Sequence, residues 1–120
     1  MTFPVEIVLK GRDFAVTESL QVPGSEGPEW DDATVHAVLV EILRAIGRAE
    51  DPTAPPDRPV FLQGFSWIVE PLDDGVVIAI EIPMGAAVAG PFKVSQSMLD
   101  AGISRVIRAE RQSRSPETIH

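Results

Sequence analysis

The 120-residue chain contains no cysteine, which excludes a disulfide framework, a thiolate nucleophile and any Cys-ligated zinc. Histidine is nearly as scarce. With only two, His36 and His120, a metal would have to be held mostly by oxygen ligands, and neither a metal nor another cofactor is expected. Positive charge is short as well. Ten Lys and Arg against 18 Asp and Glu leave a net charge of −8 and a pI near 4.6, a balance that repels phosphate and anionic lipid and so argues against nucleic-acid and membrane partners. Long apolar runs are missing too, because Glu41 and Arg44 break the most apolar stretch. The opening MTFPVEIVLKGRDF has neither the basic start nor the apolar core of a secretory signal, and a cytoplasmic location is the expectation.

What is present fits an ordinary globular domain: 44% hydrophobic and 23% charged residues, in a length that suits one core. A single α+β domain is expected over residues 1–111, with a flexible tail over 112–120. Charge divides along the chain. Through Pro83 there are 15 acidic and 5 basic residues; from Met84 onward there are 3 acidic and 5 basic.

Alternation places the first strands. Val5, Ile7 and Leu9 alternate with Glu6, Val8 and Lys10, and Gly11-Arg12 offers a two-residue turn into Phe14, Val16, Glu18, Leu20 and Val22. That turn pairs Leu9 with Phe14, Ile7 with Val16 and Val5 with Glu18, which sets Glu18 on the inward side. Pro23 to Glu29 reads as a loop. A helix is expected from Asp32 to Ala49, N-capped by Asp31, with Trp30 stapled against Val35. Its apolar side carries Val35, Leu39, Ile42, Leu43 and Ile46, opposite Glu41, Arg44 and Arg48. The proline-rich Asp51–Pro59 segment forms a stiff connection.

A second hairpin spans Val60 to Ile82. With Asp74-Gly75 as its turn, Val69 pairs with Ile80 and Trp67 with Ile82. One face carries Phe65, Trp67, Val69, Ile78 and Ile80; the other carries Ser66, Ile68, Glu70, Val77, Ala79 and Glu81. Met84 to Phe92 reads as a small-residue connection. A last helix follows from Gln96 to Arg111, capped by Ser95 or by Ser97, with Leu99, Ile103, Val106 and Ile107 inward and Gly102 allowing close packing. The expected architecture is ββαββα, one mainly antiparallel four-stranded sheet with two helices on one face.

Four groups of residues have chemical potential, and each also has an ordinary structural explanation. Glu70 and Glu81 lie diagonally on one sheet face, where two carboxylates can act as acid and base or stand as solvated strand residues. Glu18, if buried, gains a raised pKa unless a bulge or bend after Val16 turns it outward, or Arg12, Arg44 or another basic residue pairs with it. His36, in the first turns of a helix and close in helical angle to Leu39 and Leu43, is expected near the buried face with its cation disfavoured, but has no second internal histidine to work with. Gly85-x-x-x-x-Gly90 lacks the Lys-Ser/Thr that completes a phosphate loop, leaving Lys93 and Ser95 as weak candidates for an anion.

The sequence therefore points away from catalysis. Its leading reading is a non-catalytic interaction module, pairing as a homodimer through the outer sheet face at Leu62, Ile68, Val77, Ala79 and Val8 or through an exposed strand edge. A second reading is a small-ligand-binding protein or an enzyme, with a pocket between sheet and helices near Trp30, His36 and Trp67. A third is an accessory regulator that binds a protein partner through its acidic surface.

Overall fold

A computed structural model describes residues 1–24, 29–55 and 59–113. Seven elements follow in the order β1 (Thr2–Leu9), β2 (Ala15–Gln21), α1 (Asp32–Glu50), β3 (Ser66–Leu72), β4 (Gly75–Ile82), β5 (Gly85–Phe92) and α2 (Gln96–Ser113). The five strands form one antiparallel sheet in the order β2-β1-β5-β4-β3. The α+β class and the two helices agree with the sequence reading, whereas the strand count does not: of the expected connection Met84–Phe92, residues Gly85–Phe92 form the central strand.

The first hairpin keeps the predicted register, with Val5 opposite Glu18 and Ile7 opposite Val16. Its loop is wider than two residues, because the ladder closes at Val8 opposite Ala15. Phe14, expected against Leu9, instead lies in that loop and is 60% exposed. In the second hairpin Val69 pairs with Ile78 and Trp67 with Ile80, so Asp73-Asp74 is the turn and the register moves by two residues from the expected one. An even shift leaves every side chain on its predicted face. Gly75 opens β4 rather than serving the turn. Its φ is +150°, and a Cβ there would run into the Phe92 carbonyl, so only glycine lets β4 start alongside β5.

The ladder between β4 and β5 is irregular between Val76 and Ile78. Val76 pairs with Phe92 and Ile78 with Ala89, so β5 carries one extra residue at Gly90-Pro91. The bulge turns Phe92 back to the inner face, where its ring meets Phe3 and Trp30 edge to face at 5.0 and 4.9 Å. Trp30 thus closes one end of the core.

Both helices cover the same side of the sheet, α1 over β1, β2 and β5, and α2 over β3. Beneath them lie Phe3, Val5, Ile7 and Leu9 of β1, Val76, Ile78 and Ile80 of β4, and Ala87 and Ala89 of β5, all buried. The Asp31 carboxylate accepts from the Thr34 N–H at 2.9 Å and caps α1. The Ser95 hydroxyl accepts from the Met98 N–H at 3.1 Å and caps α2, which decides between the two candidate serines. Gly102 is buried where a Cβ would press on Val35, so the helices meet closely there, as the sequence suggested. α2 runs on through Gln112 and Ser113; the rest of the expected tail, 114–120, lies outside the described residues, as do parts of the two expected loops, 25–28 and 56–58. No helix among the described residues is long and apolar enough to cross a membrane.

Candidate functional site

Each strand points alternate residues away from the helices, and these make up a second, open face. Along one row of the sheet stand Ile68, Ala79, Val88, Glu6 and Thr17; along the next stand Ser66, Glu81, Ala86, Val8 and Ala15. Val8, Val88 and Ile68 are 47, 44 and 52% exposed, and Leu72, on the same face of β3, is also exposed. Because Ala79 and Ala86 are short, a shallow hollow of about 320 Å³ remains between Ile68 and Val88, with Glu81 at its margin. Apolar side chains thus stand on four neighbouring strands of this face, Val8 on β1, Val88 on β5, Ala79 on β4 and Ile68 on β3. The edge strand β2 presents Ala15, Thr17, Ser19 and Gln21, all exposed and uncharged. At the opposite edge, the Gln96 amide donates to the Val69 carbonyl at 2.9 Å, tying α2 to β3 and partly covering that edge.

Of the five predicted interface residues, Val8, Ile68, Val77 and Ala79 stand on this face. Leu62 does not: it is 2% exposed, and its N–H donates to the Glu110 carboxylate of α2. It belongs to the loop that closes over the helix side, and its place in the interface is corrected accordingly. Val88, Ala86 and Leu72 went unnoticed in the sequence. Val88 and Ala86 sit in a segment of Ala and Gly in which both faces are apolar, so no polar alternation announced a strand.

The predicted carboxylate pair does not form. Glu70 lies opposite Val77, and Glu81 lies opposite Ser66. The two are therefore four residues apart along the hairpin, about 13 Å at the rise of a strand, beyond the reach of a shared substrate atom. The cause is the two-residue shift at the Asp73-Asp74 turn. Glu18 faces inward, as its register requires, and is half-buried; Arg48 of α1 donates to it at 2.8 Å. Its partner is therefore Arg48, rather than Arg12 or Arg44. Arg12 donates to the Ala49 carbonyl at 3.2 Å, and Arg44 donates to Glu41, also at 3.2 Å.

His36 is exposed rather than turned to the core, and its Nε2 lies 3.3 Å from Glu110 across the two helices. A second cross-helix pair joins Arg105 to Asp32 at 2.8 Å. The Arg105 guanidinium holds the Asp32 carboxyl below the usual carboxylate range, and Asp32 in turn raises Arg105. Asp31 is likewise lowered, chiefly by the Thr34 N–H it accepts. These three shifts belong to helix ends and a helix pair, far from chemistry.

Among the described residues Trp30, His36 and Trp67 border different hollows. Trp30 lines one at an end of β1 beside Lys93, His36 borders the groove between α1 and α2, and half-buried Trp67 of β3 borders the hollow on the open face. Of the two anion candidates, Lys93 borders the Trp30 hollow and the Ser95 hydroxyl accepts the Met98 N–H at the start of α2. Among the described residues no polar or charged side chain is buried, and no group of three His, Asp or Glu side chains is placed to hold a metal ion. No family model, curated protein or solved structure matches the chain.

Proposed function

We propose that this chain is a non-catalytic protein-interaction module that seats another polypeptide on the helix-free face of its sheet. The observation that carries this reading is the apolar surface formed by Val8, Val88, Ala79 and Ile68, which crosses β1, β5, β4 and β3 while both helices pack on the other side. A five-stranded sheet with a helix layer needs only one apolar face to fold. Apolar residues repeated across the second face therefore point to a second layer supplied by a partner. The cytoplasm is the proposed setting. The proposal admits two kinds of partner, a second copy of this chain or a distinct protein.

Site-specific photo-crosslinking tests the reading. A photoreactive residue at position 88 is expected to trap one defined polypeptide, of this chain or another, in extracts of the producing cell. The same residue at position 101, an exposed site on α2, is expected to trap none. Crosslinks at 101 but not at 88, or none at either, would contradict the proposal.

A further inference from the structure

We infer that the partner for the open face is a polypeptide segment carrying Lys or Arg among its apolar side chains, rather than a second copy of this chain; the inference rests on the interaction-module reading. The open face is not apolar alone. Glu6 on β1 is the direct neighbour of Val88, Glu81 on β4 is the neighbour of Ala86, and Glu70 on β3 stands between Ile68 and Leu72 and opposite Val77. The three carboxylates are thus interleaved with the apolar residues, so a surface large enough to cover Val88 and Ile68 must also cover or closely flank them. At the outward positions of the five strands there is no cation. Lys10 lies just past the end of β1, where it borders a different hollow with Glu81 and Ser66.

This distribution is unsuited to self-stacking. Two identical faces related by a two-fold axis each bring the same three carboxylates and no strand cation to the contact. Like charges brought together while water is being removed oppose association, and a desolvated carboxylate without a partner is worse still. A partner whose Lys or Arg residues meet Glu6, Glu70 and Glu81 reverses both effects. The field of the whole molecule works in the same direction: the first 83 residues carry 15 acidic groups against 5 basic ones, which favours the approach of a basic segment. The short Ala79 and Ala86 side chains leave the hollow between Ile68 and Val88 for one apolar anchor of that segment.

The test uses the full chain and two synthetic probes, an 18-residue amphipathic Leu/Lys peptide and its Leu/Glu counterpart, at physiological salt. By NMR titration the Leu/Lys peptide is expected to shift the amides around Val8, Ile68 and Val88, and the Leu/Glu peptide to leave them unmoved. The E6Q/E70Q/E81Q variant should bind the Leu/Lys peptide at least tenfold more weakly. A control variant, D13N/E29Q/E50Q, removes the same charge from exposed positions off the face and should bind it as the parent chain does. Equal weakening in both variants would mean general attraction to an acidic protein and would overturn the inference. So would light scattering that shows the parent chain to be a dimer dissociated by Ile68→Lys. That outcome leaves the interaction-module reading standing, whereas loss of the position-88 crosslink removes both.

Discussion

The two faces of the sheet are made by the same strands, one residue apart, and they solve different problems. Beneath the helices most inward-facing residues are answered by another apolar side chain, Ile7 by Val16 on β2 and Ala87 on β5, and Ile78 by Val69 on β3 and Ala89 on β5, the exception being Glu18 opposite Val5. Residues there are chosen for fit, with Ala87 and Ala89 kept small on the central strand where α1 lies over β5. On the open face apolar residues alternate with carboxylates. That pattern suits contact with something that brings its own charges, and contributes little to the fold of the free chain. The difference teaches that the covered face carries stability, which leaves the open face for the recognition proposed above.

The largest effect should come from the covered side. Trp30→Ala removes the ring that packs edge to face on Phe92 and closes the core, at a cost of about 3–5 kcal/mol. Denaturant unfolding measures it; a mild loss would return Trp30 to the role of a ligand contact. Next in size, Gly75→Ala forces a side chain into a left-handed backbone position against the Phe92 carbonyl and should destabilise by about 1–3 kcal/mol. An unchanged midpoint would show that β4 and β5 are not held so closely.

Smaller again is the half-buried ion pair where β2 meets α1. Glu18→Ala leaves Arg48 without its 2.8 Å partner and should lower stability by about 1 kcal/mol. The companion Arg48→Met should lose less, since it removes the charge and keeps the packing stem. The smallest change is expected at the α1 cap, where Asp31→Ala should lower Tm by a few degrees. In the folded chain the Asp31 pKa lies below its ordinary value of 3.8 because the carboxylate accepts from Thr34. The capping contribution is therefore fully present above that ordinary value and is lost as pH falls through the lowered folded one. Thermal unfolding followed between pH 6 and pH 2 should show the parent and Asp31→Ala curves converge at the acid end.

Much of this was legible in the sequence for reasons that are local. The first hairpin's register follows from the spacing of Val5, Ile7 and Leu9 against Val16 and Glu18, and the inward phase of Glu18 came with it. Asp31 and Ser95 are short polar acceptors placed just before apolar periodicity begins, which is why both helix starts were readable. The central strand was not readable. In Gly85–Phe92 the inward residues must be small to pass under a helix and the outward ones are apolar too, so neither β-branched enrichment nor polar alternation remains to mark a strand. The turn of the second hairpin was misplaced because Asp74-Gly75 resembles the favoured two-residue pair, whereas Gly75 answers to the close approach of Phe92, a contact some 17 residues away in the chain. The candidate site inherited both errors: Val88 went unseen, and Glu70 and Glu81 were drawn together when they are apart.

The most direct test of the division between the faces is a matched pair of substitutions on adjacent strands. Ile78→Ala lies on the covered face and Ile68→Ala on the open one, 1% and 52% exposed respectively. In urea unfolding of the free chain, Ile78→Ala should cost about 3 kcal/mol and Ile68→Ala under about 1 kcal/mol. Equal losses would mean that the chain itself covers the outer face, and would contradict its assignment to a partner.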